Sequence, residues 1–458
     1  MRYVLAFLAL LVLIAGGLWM YAGTLAGPSI EIAKPVKYVG LAAPLDVTVT
    51  APGARLKTLR IVFEQNGHAT PLFSLESPSG ADVRQESGDR VRITRQIGRD
   101  AIPDLKSGTG RIVVSASRPV LFGVRATQTL AARDVQVRLE RPTISVVSTK
   151  HYINLGGSEA VVYRVNPPDV ESGVQVGDLA YPGFPASGAN DVEGVHITDP
   201  ALKLAFFALR YDQDLNTPIH LYARDEAGNT GRGDFDYRPF PKPFKHSTIP
   251  LDDTFLNRVV PAILEATDEI RPQGDTLQKF LAINGELRRK NTEKIASFAK
   301  QTAAALLWEG VVFHPYTNSA VEAAFADQRT YLYQGKEVDK QVHLGFDLAS
   351  VVNAPLLAAN KGKVVYAAPL GIYGNCVIID HGMGVQSLYG HLSSIGVQVG
   401  QMVEKEQEIG RMGRTGLAQG DHLHFTMLVN GQMVNPVEWW DAHWIQDRIL
   451  RKLHEVAP

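Results

Sequence analysis

The run VLAFLALLVLIAGGLWMYA, Val4 to Ala22, leaves this chain the least freedom. After Arg2 no charged side chain occurs until Glu31. At about 1.5 Å of rise per helical residue, the run reaches roughly the ~30 Å thickness of bilayer hydrocarbon. The segment is therefore expected to enter a membrane as a helix. Arg2 and the amino terminus stay on the cytoplasmic side, Trp19 and Tyr21 sit near the far interface, and everything after Gly27 is exported. The rival is a cleaved signal peptide, for which Thr24-Leu25-Ala26 supplies a small-residue site. The apolar run exceeds the usual ~7–15 residues of a signal h-region, which favours an uncleaved anchor.

Beyond the anchor, a composition of 45% hydrophobic and 20% charged residues is that of a globular chain able to bury sizeable cores. Lys and Arg number 46 against 47 Asp and Glu, a net charge of -1, so no general electrostatic attraction to nucleic acid is expected. Cys376 is the single cysteine, which excludes an intramolecular disulfide and any cysteine-based zinc site. A metal would have to be held by His, Asp and Glu.

From Pro28 the pattern becomes short alternating runs. Leu45, Val47 and Val49 lie in LDVTVT, and Leu59, Ile61 and Phe63 in TLRIVFEQNG, with Gly, Pro and Asn turns between. PSIEI at 28–32 is echoed by PTISV at 142–146, and HLYARDEAGNTG resembles the closing hairpin of bacterial immunoglobulin-like modules. The expected fold is multidomain and mainly β. It comprises a membrane signal-anchor (1–27), a β-sandwich module (28–141), an immunoglobulin-like β module (142–241), a linker with a short helical hairpin (242–310), an antiparallel β domain (311–440) and a C-terminal helix (441–458). PFPKP at 239–243 breaks regular structure before the hairpin. Pro261 is expected to kink or restart its first helix, and the second stretch, Asp275 to Trp308, carries Leu277, Leu281, Ile295, Phe298 and Leu306 at helical spacings, with a fresh cap offered at Asn291-Thr292. Its polar middle, INGELRRKN, offers a binding surface but reads first as a solvated face, and the tryptophans of VEWWDAHWIQDRILRKL read as packing residues.

GDHLHF, Gly420 to Phe425, carries two histidines two apart. In a strand His422 and His424 point the same way and Leu423 and Phe425 the other. HLGFD adds His343 and Asp347, whose spacing of four puts both on one face in a strand or a helical turn. His343, Asp347 and one of His422 and His424 would make two imidazoles and one carboxylate, leaving a tetrahedral position open as catalytic rather than structural zinc sites do. His391, in LYGHLSS, and the unused member of the pair remain to position water or stabilise an oxyanion. His314 and His381 lack a ligand partner and read as structural or exposed; Cys376 reads as a buried small hydrophobe.

QVHLGFDLA, YGNCVIIDHG, SLYGHLS and GRTGLAQGDHLHF, in that order and followed by NGQMVNP, resemble the LytM/lysostaphin-type M23 zinc metallopeptidases of bacterial cell walls over roughly residues 311–440. The resemblance implies one Zn2+ per chain on His343, Asp347 and His424, with His391 and His422 as catalytic, non-ligand histidines. One departure is Glu406 in VEKEQEIG, where the family usually has glycine; little catalytic effect is expected of it.

With that resemblance, the expected function is a zinc endopeptidase that hydrolyses peptidoglycan crosslinks, D-alanine to a diamino acid being favoured. Its partners would be peptidoglycan stem peptides and the inner membrane, with no nucleic acid. The bulk would lie in the periplasm, or be secreted if the leader is cleaved. The alternatives are a catalytically silent M23 scaffold that regulates another wall hydrolase, and an interaction protein built on the β modules. The helical segment at about 250–309, or a β module, is expected to cover part of the substrate groove. The sequence fixes no oligomeric state.

Overall fold

The computed structural model describes residues 2–78, 80–309, 311–314 and 319–457. The expected start of the last domain adjoins residues 310 and 315–318, which lie outside the described residues. Two compact units result, one of 1–142 with 224–231, the other of 143–223 with 232–458.

In the first unit the helix Arg2–Thr24 precedes two antiparallel-rich sheets. One has the strands Ser29–Lys34, Ala42–Thr50, Arg90–Gly98 and Asp82–Ser87; the other is built on Arg125–Val137, Gly108–Val120, Thr58–Gln65 and His68–Ser74. The period-two runs face inward, so that Val47, Val49, Ile61, Phe63, Ile93 and Ile112 form one core between the sheets.

The second unit has a continuous core, running from the strands around Ile153 and Phe206 through Trp308 and Phe313 to Phe425, Trp439 and Leu453. Its largest sheet orders the strands Ala320–Ala323, Phe346–Ala349, Leu423–Val429, Val385–Leu392, Asn375–Gly382, Gly362–Pro369 and Met402–Val403, all antiparallel where paired in this core. Trp439 is buried against Phe206 and Phe313 and donates its indole N–H to Ser158 Oγ at 3.1 Å, so it packs as expected.

The helical region departs from expectation at several points. The helix Asp253–Glu265, capped by Asp252, continues through Pro261. Asn291 and Thr292 do not restart a helix. They lie inside Arg288–Ser297, and the Asn291 side chain reaches out to accept from the Ile372 N–H at 3.0 Å. Helix stops at Gln301 rather than near Trp308; Thr302 is extended, and the chain beyond it bonds elsewhere, Leu306 N–H to Gly188 O and Leu307 N–H to His381 O. INGEL forms a π-helical turn with Asn284 and Leu287 buried, so the polar stretch is only partly a solvated face. The tail is likewise broken into Pro436–Trp439, Ala442–Ile445, a π turn Gln446–Leu450 and Arg451–His454.

Candidate metal centre and active site

Asp347 lies on the strand Phe346–Ala349 and His424 on Leu423–Val429, directly opposite one another in the antiparallel register. Opposed residues share a face. His343 ends the strand Lys336–His343 and turns its ring into the same place. His343 Nε2, Asp347 Oδ1 and His424 Nδ1 form a triangle with edges of 2.9, 3.0 and 3.0 Å. All three residues are buried, and they are the cluster able to hold a metal ion among the described residues.

The donor set fits a divalent cation. His343 Nδ1 donates to Ala324 O at 3.1 Å, so in the neutral ring Nε2 presents a lone pair to the Asp347 carboxylate and to His424 Nδ1. Converging lone pairs repel unless a proton or cation lies between them. Edges near 3 Å approach the about 3.3 Å that ligand atoms keep when bonds of about 2.0 Å meet at a tetrahedral angle. His424 Nε2 is buried without a hydrogen-bond partner. Its ring fits because Gly345 has no side chain: a Cβ there would meet the imidazole.

His391 and His422 stand beside the triangle, their rings 4.8 Å apart by centroid. His391 Nδ1 donates to Thr415 O at 2.8 Å and His422 Nδ1 to Gly420 O at 3.0 Å, which leaves each Nε2 as an acceptor when the ring is neutral. His391 has φ +66°, a left-handed conformation that few non-glycine residues adopt and that often marks functional sites. Burial, and then the neighbouring imidazoles of His422 and His424, hold His391 well below the ordinary histidine range. Burial first, then the neighbouring imidazoles of His343 and His422, takes His424 down to about 4 against the opposing pull of Asp347. For Asp347, burial works to raise the carboxyl, but the imidazoles of His343, His422 and His424 outweigh it and hold the group well below its usual range.

Sequence reading missed Arg329. From the strand Asp327–Tyr333 its guanidinium donates to Asp347 Oδ2 at 3.2 Å, so that Oδ1 is the oxygen turned toward the imidazoles. No local pattern announces this contact, because the two residues meet across strands. Tyr373, whose ring lies 5.3 Å from His424, was missed for the same reason. His381 is a satisfied core histidine, bonded to Lys361 O at 2.7 Å and Ser387 Oγ at 2.8 Å; His314 is exposed and Cys376 is buried. Glu406 has φ +66°, which explains why glycine suits that turn.

The site opens into a cavity of about 360 Å³. Its lining also includes Ser247, Phe255, Phe280, Arg288 and Thr292, from the strand and helices that precede the last domain in the chain. Arg258 ties this part of the lining to the loop ahead of His422, donating to Ala418 O at 2.7 Å and Gln419 O at 3.2 Å.

An antiparallel sheet presenting two imidazoles and a carboxylate as a candidate metal cluster, with two more imidazoles beside it, defines a metallopeptidase-like centre. The C-terminal domain is a peptidase family M23 domain, residues 341–436 matching that family. The DD-carboxypeptidase/endopeptidase Mpg of Neisseria meningitidis is 40% identical over 97 residues, 21% of this chain and 22% of that protein. The peptidoglycan DD-endopeptidase ShyB of Vibrio cholerae is 31% identical over 173 residues, 34% of this chain and 40% of that one. The chain thus spans well under half the length of these relatives. A solved putative M23 peptidase from Pseudomonas aeruginosa is 19% identical, with 63% of this chain and 95% of that one covered and a TM-score of 0.38.

Proposed function

We propose that this chain is a membrane-anchored zinc endopeptidase of the bacterial envelope that hydrolyses peptide crosslinks of peptidoglycan. The observation that carries the reading is the convergence of His343 Nε2, Asp347 Oδ1 and His424 Nδ1 to 2.9–3.0 Å, beside two imidazoles that face the same cavity. The relatives named as peptidoglycan endopeptidases support the substrate, and the exposed apolar helix supports anchoring with the bulk in the periplasm.

His343, Asp347 and His424 would hold one zinc ion. Bound there, it supplies acidification of water toward a pKa of about 7 and polarisation of the scissile carbonyl. The rest falls to the chain. His391 and His422 exchange protons with the attacking water and the leaving amine and hydrogen-bond the charge that develops on the carbonyl oxygen. Asp347 is a ligand rather than a base, since both of its oxygens are engaged. Arg329 acts as a positioning residue. Arg329→Met is expected to weaken zinc binding about 10–100-fold, measured by chelator competition, with Arg329→Lys recovering part of it. Unchanged affinity in Arg329→Met would remove that role.

The wall formed by residues 245–292 serves as a regulatory cover. Digestion of crosslinked peptidoglycan, with fragments identified by mass, tests both readings. The protein is expected to cut crosslinks, to stop on chelation and to resume with zinc. Arg258→Ala, which loses a charged donor worth about 1.5 kcal/mol, is expected to cut up to about tenfold faster. Cleavage that ignores chelation overturns the zinc reading, and an Arg258→Ala rate no higher than the parent's overturns the cover. All five site side chains are present, which opposes the silent-scaffold alternative.

A further inference from the structure

We propose that the tip of the hairpin formed by the strands Gly108–Val120 and Arg125–Val137 dips into the same bilayer as the helix Arg2–Thr24, giving the first unit a second apolar hold on lipid. The proposal rests on the reading of that helix as a membrane anchor.

The tip is apolar where a free hairpin would be polar. Leu121, Phe122, Gly123 and Val124 close the turn, with Phe122 106% and Val124 69% exposed. Leu121, Phe122 and Gly123 have φ of +50°, +54° and +90°. Left-handed turn positions are ordinarily filled by Gly, Asn or Asp, and bulky apolar residues there are strained. Folding therefore gains nothing from Leu121 and Phe122 at these positions, and water penalises an exposed Phe. A lipid surroundings removes the second cost.

The helix fixes the direction in which the tip points. A side chain at Gly27 would collide with Thr129, and one at Gly23 with the Arg125 guanidinium. Arg125 also donates to Trp19 O and lies over the Trp19 ring, 5.2 Å from its centroid. Passing from Thr129 to Arg125 thus follows the chain from Gly27 into the helix and back to Trp19, toward the middle of its apolar run. Trp19 marks the interface level. At about 3.3 Å per strand residue, Phe122 lies up to about 10 Å beyond Arg125. That is roughly seven helical residues past Trp19, near Val12. A flanking cation suits the boundary: Arg125 sits at the level of Trp19, and no Asp or Glu occurs between Arg111 and Arg133. Arginine at this depth reaches lipid phosphates while its stem stays in the apolar layer.

The test uses full-length protein in phosphatidylethanolamine/phosphatidylglycerol vesicles. Cys376 is buried, so an environment-sensitive fluorophore is directed to an introduced cysteine, in Phe122→Cys, Val124→Cys or Leu13→Cys. Blue-shifted emission quenched by chain-brominated lipid is expected at all three positions. Quenching at 13 with water-like, unquenched emission at 122 and 124 overturns the tip alone. No quenching at 13 overturns the anchor reading and the tip with it.

Discussion

His391→Ala is expected to keep one zinc per chain and to lose peptidoglycan cleavage by about 10²–10⁴-fold, the usual worth of a positioned acid or base. His424→Ala is expected to lose both metal and activity. The two outcomes differ because the two side chains are held differently. His424 Nδ1 is a corner of the 2.9–3.0 Å triangle, whereas His391 stands outside it, its ring 5.8 Å from that of His424 and its Nδ1 fixed by Thr415 O. Burial and its imidazole neighbours keep His391 neutral, so its Nε2 is an acceptor at the pH of the wall. Zinc content by elemental analysis and cleavage by fragment mass are read on the same samples. Loss of zinc from His391→Ala would make His391 a ligand, and full activity would deny it any part in the chemistry. His391 is buried at a left-handed backbone position, so His391→Asn, which suits that conformation, guards against a failure of folding.

The site was largely legible because its histidines and Asp347 sit in short stretches whose periodicity is local. Period two puts His422 and His424 on one cavity, and their rings do both face it. Which of them completes the triangle was beyond periodicity. It depends on Asp347 standing opposite His424 in a register between strands 77 residues apart, and the family resemblance had to supply what spacing could not. Arg329 stayed hidden for the same reason. The sandwich core of the first unit could be read from alternation at Leu45, Val47 and Val49, since one face of each strand is dry. The helical region was legible only in outline. Asn291 resembles a cap in sequence, yet a backbone N–H at Ile372, far along the chain, claims its side chain. Helix-like spacing at Leu306 marked burial correctly and conformation wrongly, because an extended segment against a core also alternates its contacts.

Nor does sequence reveal what joins the strands at 143–223 to the tail. Lys452→Met is expected to destabilise the second unit by about 3–5 kcal/mol, the cost of leaving a buried charge without its partner. Lys452 Nζ lies 2.7 Å from Glu159 Oε1 and 2.7 Å from Ala160 O, and both side chains are 0% exposed. Glu159 also accepts from the Tyr152 and Ala160 N–H groups, so its carboxylate is held in place when the lysine is removed. Burial already raises Glu159 and lowers Lys452. The pair is therefore a specific link rather than a net source of stability. With Lys452 gone the Glu159 carboxyl shifts further upward. A folded-state pKa above the unfolded value means that the folded state holds a proton the unfolded chain has released. Stability contributed by that proton is present below the unfolded carboxyl pKa of about 4.3 and is lost as pH rises through the folded one. Lys452→Met should accordingly be most damaged at neutral pH and recover toward pH 5, while Glu159→Gln/Lys452→Met should be less damaged and flatter with pH. Urea midpoints across pH 5–8 read all three. A Lys452→Met midpoint that matches the parent at pH 7, or one that does not move with pH, would show that water reaches the pair and that the tail is held by its apolar contacts alone.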